Sequence, residues 1–190
     1  MKRFFILTVL SLFLVGCATS QNKPKKSFLS DVKVGSTLRI NSPLTVPATE
    51  VRASLQFSKQ LRTPGEVNKW EPYCQMVVNT IDNLDKEIPA INFRIRRVVR
   101  DQEPFSSNKN SRRTMLASAS EWKNLSFMSS SVVTTWLIKT YLYLESDRYP
   151  DIYRLVCGQA WDSYLSRQMY MDEFKEAVGT YISLLPVATE

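Results

Sequence analysis

Between Glu50 and Phe57 the side chains alternate: Val51, Ala53, Leu55 and Phe57 are apolar, while Glu50, Arg52, Ser54 and Gln56 are polar. Successive side chains of a strand point to opposite faces, so this period of two describes a strand with one dry face and one wet face. The same reading holds for Ser36–Asn41, through Leu38 and Ile40, and for Asn92–Val99, where Phe93 and Ile95 oppose Arg94 and Arg96. Strands wet on one side belong to antiparallel sheets. Cys74–Ile81 is a further strand, and Pro43, Pro47, Pro64-Gly65, Pro72 and Pro89 punctuate the gaps between such segments. Val132–Leu144, rich in β-branched and aromatic residues, reads as a central strand. Tyr153–Trp161 follows across a turn containing Pro150, and the two can form a hairpin. Only the end has helical spacing: Met171, Phe174, Val178 and Tyr181 recur at threes and fours, with Ala177 and Ile182 beside them. Gly179 falls in the middle of that pattern and Pro186 beyond it. The expected fold is mostly β, an antiparallel sandwich or partly open barrel with one C-terminal helix.

The N-terminus has a different layout. A basic start, Met1-Lys2-Arg3, precedes an apolar run from Phe4 to Leu14 and then Val15-Gly16-Cys17. This is the order of a secretory signal, and the run is too short to cross a bilayer, which takes roughly 20 residues. The stretch Phe13-Leu14-Val15-Gly16-Cys17 resembles the lipobox of bacterial lipoproteins. That resemblance implies cleavage between Gly16 and Cys17, then acylation of Cys17 with diacylglycerol and a further chain such as palmitate. Several acyl chains hold a protein firmly at a membrane. Ala18, rather than Asp, follows the cysteine; by the same resemblance this implies the outer membrane, with the domain facing the periplasm. The chain then divides into a signal peptide at residues 1–16, a lipidated tether at 17–35 that is polar, basic and interrupted by Pro24, and a β-rich domain at 36–186.

Two cysteines remain, Cys74 and Cys157. In an oxidising compartment they form either a disulfide, closing a loop of roughly 80 residues and contributing about 4 kcal/mol, or two buried thiols. The chain is basic, with a formal charge of +7 at pH 7. Once Lys2 and Arg3 are removed, the whole surplus is carried by the segment from Asn92 to Arg113, with Arg94, Arg96, Arg97 and Arg100 at its head. In the periplasm such a patch suits phosphate-bearing lipid head groups, lipid A, peptidoglycan carboxylates or an acidic envelope protein rather than nucleic acid; a solvated strand edge explains the same charges. Residues 102–131, dominated by Ser and Asn, read as a long loop or edge excursion.

Chemistry is sparse. The chain has no histidine, which removes the commonest general base and neutral metal ligand, so neither a metal site nor a cofactor is expected. Ser-x-x-Lys occurs at Ser30–Lys33 and Ser120–Lys123 without the companion elements of penicillin-binding enzymes. Glu66 and Glu71 flank Trp70 in a Pro-bounded loop, which is a weak pointer to a sugar site. Asp82-Asn83-Leu84-Asp85-Lys86-Glu87 has too few oxygens at alternating positions for a calcium loop. The aromatics Trp136, Tyr141, Tyr143, Tyr149, Tyr153, Trp161 and Tyr164 crowd the last third, as core or as a recognition surface.

Short blocks spread over residues 35–185 resemble a family of small, uncharacterised outer-membrane lipoproteins of proteobacteria. They are Gly35-Ser36-Thr37-Leu38, Leu44-Thr45-Val46-Pro47-Ala48, Ser54-Leu55-Gln56-Phe57, Tyr73-Cys74, Tyr141-Leu142-Tyr143-Leu144 with Ser146, Leu155-Val156-Cys157 with Trp161, and Ala177-Val178-Gly179. The resemblance implies an all-β periplasmic domain, supports pairing Cys74 with Cys157, and carries no activity. Ser58-Lys59 stands where that pattern has a glycine-rich turn. The expected function is a lipid-anchored, non-enzymatic binding or envelope-assembly module. A peptidoglycan-acting enzyme, or an inhibitor of an attacking hydrolase, is the alternative.

Overall fold

A computed structural model describes residues 26–105, 135–162 and 164–187. The ordered strands are β1 (Thr37–Ile40), β2 (Leu44–Val46), β3 (Arg52–Gln56), β4 (Lys59–Leu61), β5 (Tyr73–Val78), β6 (Lys86–Ile88), β7 (Asn92–Pro104), β8 (Thr135–Glu145), β9 (Ile152–Asp162) and β10 (Ile182–Leu185), with helix α1 (Met171–Val178) before the last. Eight strands form one curled, half-open antiparallel sheet in the order β10-β1-β7-β8-β9-β5-β3-β4, and β2 pairs with β6 in a small second sheet. The mostly β architecture with a C-terminal helix is the one the alternation implied. The β8–β9 hairpin is present, paired from Thr135 opposite Asp162 to Tyr143 opposite Arg154; residues 132–134 of the expected strand lie outside the described residues.

One face of the large sheet makes the main core. Leu38, Leu55, Met76, Phe93, Leu142 and Leu155 point into it and meet Phe174, Ala177 and Val178 of α1, while Leu44, Val46 and Ile88 of the small sheet close it. Each fully buried side chain of this size contributes roughly 1.5–3 kcal/mol. At the centre, Cys74 of β5 lies directly opposite Cys157 of β9, and the two are joined by a disulfide across a Cα–Cα separation of 4.0 Å. Both are buried on the core side.

The helix ends sooner than its spacing implied. Gly179 takes φ 55°, the side that favours glycine, and its amide closes α1 on Lys175 O at 2.8 Å. A Cβ there would sit 2.4 Å from Ser58 Cβ and 2.8 Å from Ser58 Cα. The β3–β4 turn is the reason for that closeness. It has two residues, Phe57 (φ 52°) and Ser58 (φ 57°), both left-handed as a tight hairpin turn requires, although neither is glycine. Ser58 N donates to Ala177 O at 3.2 Å and its Oγ to Glu176 O at 3.0 Å, satisfying two carbonyls that the helix end leaves open. Phe57 is consequently exposed rather than in the core. Past Gly179 the chain turns back and Ile182–Leu185 pairs with β1, so the later part of the helical pattern is a strand.

The N-terminal boundary also differs. Within residues 26–35, assigned to the tether by composition, the turn Phe28–Val32 is packed on the domain. Leu29 is fully buried, its amide donates to Met169 O at 2.9 Å, and Met171 N donates to Ser27 O at 3.0 Å. Phe28 stacks on Tyr170 with ring centroids 4.7 Å apart, and Lys26 reaches Asp172 at 2.8 Å. The start of α1 is held by Arg167, which grips both oxygens of Glu173, while Glu173 Oε2 accepts from Tyr170 N at 2.8 Å. Burial pushes the Glu173 carboxyl up, but Arg167 and that amide outweigh it and leave it below the ordinary value. Its contribution is therefore present at neutral pH and lost as pH falls through the lowered value.

Two outcomes follow in urea unfolding. Gly179→Ala should cost about 2 kcal/mol or more, from backbone strain plus the Ser58 clash; an unchanged midpoint would contradict the docked turn. Reduction of Cys74–Cys157 should cost about 4 kcal/mol, as loop entropy gives for a closure of this length.

Candidate functional site

The basic run of β7 is divided by the fold. Pairing with β8 shifts between Ile95 and Arg97, making Arg96 the extra residue of a β-bulge. Ile95 stays in the core and Val98 packs against it, so both Arg96 and Arg97 are exposed. Arg100 pairs with Thr140, a core-side position, and its guanidinium meets Asp31 at 3.3 Å. Arg94 and Arg97 lie on the opposite, outer face of the sheet. The four arginines read from the sequence therefore do not form one patch.

Register creates a different grouping. Arg52 of β3 pairs with Val77 of β5, Val77 with Arg154 of β9, Arg154 with Tyr143 of β8, and Tyr143 with Arg97 of β7. Paired residues of an antiparallel sheet share a face, so Arg52, Arg154 and Arg97 form one row across five adjacent strands. With strands about 4.8 Å apart, neighbouring arginines of the row are about 10 Å apart. Among the described residues none of the three is ion-paired. Arg97 lies over the Tyr143 ring at 5.3 Å, and Arg154 lies over Tyr141 at 5.2 Å and Tyr153 at 4.9 Å. Arg154 Nε is buried with no hydrogen-bond partner among the described residues.

Beside this row is a cavity of about 250 Å³. Arg52, Arg154, Tyr73, Gln75, Val77, Leu137, Lys139, Tyr141 and Val156 supply its strands' share, and Val67 and Lys69 come from the loop before β5. That loop is held over the outer face by Gln56, whose amide donates to Asn68 O at 2.7 Å and accepts from Asn68 N at 3.0 Å. This cover is why Ser54 and Gln56, on the polar side of the alternation, are buried rather than wet. Gly158 leaves room for Tyr73: a Cβ there would stand 3.2 Å from its hydroxyl. Four of the lining residues are cationic and none is acidic. Of the acids on this face, Glu103 accepts from Lys139 at 2.6 Å and Asp101 from the Tyr141 hydroxyl at 3.2 Å, and Glu145 lies opposite Arg94 at the end of β8. Burial pushes Tyr73 up to about 12; burial, then the charge and hydrogen bond of Asp101, push Tyr141 up to about 12. Both phenols stay protonated at neutral pH. The lining thus offers hydrogen-bond donors, positive charge and apolar floor, a combination that suits an anion with a small organic part.

Other sequence candidates are not assembled. Glu66 and Glu71 are exposed, and Glu66 accepts from Thr63 Oγ1 at 3.2 Å within its own turn. Ser30 Oγ is buried and makes no hydrogen bond among the described residues, while Lys33 is exposed, so that pair forms no dyad. Asp82 pairs with Lys86, and Asp85 accepts from Ala48 N at 2.8 Å, leaving no calcium loop there. Among the described residues no group of three or more acids and cysteines could hold a metal, and no helix is long and apolar enough to cross a membrane. Gly16, Cys17, Ser120 and most of the 102–131 excursion lie outside the described residues. A larger recess of about 810 Å³ between the N-terminal segment and β10 is mainly apolar, and its Asp31 is already taken by Arg100.

Arg52, Arg154, Lys69, Tyr73 and Lys139 were not visible as a group in the sequence, because register and one loop bring them together. Comparisons of the chain with protein-family models, curated proteins and solved structures find no significant match.

An ultraviolet titration should show two tyrosines that ionise near pH 12, well above the ordinary value. Tyr73→Phe and Tyr141→Phe should each remove one late step. Complete titration near pH 10 would contradict the closed outer face.

Proposed function

We propose that this chain is an outer-membrane lipoprotein, anchored by acylated Cys17 and facing the periplasm, whose domain is a non-enzymatic binding module for an anionic envelope component. The observation that carries the binding role is the outer face: three arginines in register, without an ion pair among the described residues, beside a cavity lined by Arg52, Arg154, Lys69 and the Glu103-bound Lys139. The anchor is supported by the order of basic start, apolar run and Gly16-Cys17 in the sequence, and by the resemblance to small proteobacterial outer-membrane lipoproteins. Contacts with the domain are present from Lys26 onward, so at most residues 17–25 separate them from the proposed anchor, a reach of no more than about 30 Å. The domain would therefore work close to the membrane surface, where phosphate and carboxylate groups are dense.

In bacterial cells, mass spectrometry should find Cys17 as an acylated first residue, with the protein in the outer-membrane fraction. Cys17→Ser should abolish acylation and free the protein from that fraction. An unmodified thiol on native protein, or retention of Cys17→Ser in the membrane, would overturn the anchor.

A further inference from the structure

We infer that the arginine row is a phosphate-binding site: a phosphomonoester group seats over Val77 between Arg52 and Arg154, or over Tyr143 between Arg154 and Arg97. This rests on the anion-binding reading and names its chemistry. Guanidinium is the side chain suited to bidentate recognition of oxyanions. Each gap in the row is flanked by two of them, about 10 Å apart, so one anion is approached from opposite sides. A carboxylate brings a single charge to such a gap and leaves an excess; a phosphate, carrying up to two charges and more acceptor oxygens, neutralises it. Of the acids on this face, Glu103 is neutralised by Lys139, while Asp101 on β7 and Glu145 at the end of β8 keep their charges on the Arg97 side, so the gap over Val77 between Arg52 and Arg154 is the more positive. Arg154 is pre-positioned between two tyrosine rings, and its buried Nε lacks an acceptor. A buried donor without a partner is costly, and a bound phosphate oxygen removes that cost. The row continues over five strands, so a ligand carrying two phosphates can engage both gaps.

The test uses the oxidised mature chain from residue 17 with Cys17→Ser, which removes none of the described residues. Calorimetry compares sn-glycerol 3-phosphate with glycerate, its carboxylate counterpart. The site predicts phosphate binding at least about ten-fold tighter than glycerate, weakening as salt rises. The combined Arg52→Gln, Arg97→Gln, Arg154→Gln variant should lose that preference at an unchanged thermal midpoint. If it fails to fold, Arg52→Gln and Arg97→Gln, both at exposed positions, should each weaken binding separately. Arg94→Gln with Arg96→Gln should leave the preference intact. Co-sedimentation with phosphatidylcholine vesicles, with and without phosphatidic acid, separates the sources: pelleting only with phosphatidic acid assigns a lipid head group, and soluble binding without pelleting assigns a free phosphate ester. Equal affinity for glycerate overturns the phosphate site while leaving an anion-binding face. Binding of neither probe overturns both.

Discussion

In an antiparallel sheet a slip of one residue sends every side chain to the other face, and the outer face of this domain is built wholly from register. The disulfide between Cys74 and Cys157 fixes that register at the middle of the sheet, since it holds two directly opposed residues of β5 and β9. From that pin, Val77 must lie beside Arg154, and Arg52 and Tyr143 take the next positions on either side. The bulge at Arg96 then decides which arginine completes the row, because under simple alternation Arg96 would stand opposite Tyr143 and Arg97 would turn toward the core. One covalent bond and one inserted residue thus place three guanidiniums from distant parts of the chain in line.

The opposite face supplies the stability that such a charged row lacks. Apolar side chains of the sheet close on α1 and the small second sheet, and both ends of α1 are tied to other parts of the chain. Its C-terminal carbonyls meet the β3–β4 turn through Ser58, and its N-terminus meets the segment around Phe28 through Tyr170. The left-handed backbone at Phe57 and Ser58 costs roughly 1–2 kcal/mol per residue, offset by two hydrogen bonds to a helix end and by a turn shape that suits the strand twist. The segment around Phe28 is bound here, so contacts with the domain lie within about ten residues of the inferred anchor.

Long periodic segments were legible from sequence. β3, β7 and the β8–β9 hairpin announced themselves by alternation or by β-branched runs, and Phe174 and Val178 by helical spacing. β2, β4 and β6 have three residues each, too few for a period to show. β10 was hidden because Tyr181 and Ile182 continue the 3.6 spacing across Gly179, and only the contact with Ser58 stops the helix. Leu29 sits among polar residues, so composition could not reveal that it is buried. The site was legible at Arg97 alone, since it lies in a run of charge. Arg52 read as one polar member of an alternation, and Arg154 as part of an apolar strand. Their partnership depends on strand order, which no local pattern encodes, whereas Arg100 is parted from Arg97 by alternation along β7 itself.

The most direct measurement follows the guanidinium Nε–Hε signals of the oxidised protein by nuclear magnetic resonance as phosphate is added. Arg52, Arg97 and Arg154 should shift together along one binding curve, with Arg154 moving most because its Nε has no partner among the described residues, while Arg39 and Arg62 stay in place. If Arg94 and Arg96 move instead, or all arginines drift alike, the anion is read by the linear charge run or by no site, and the register-built row is not the binding element.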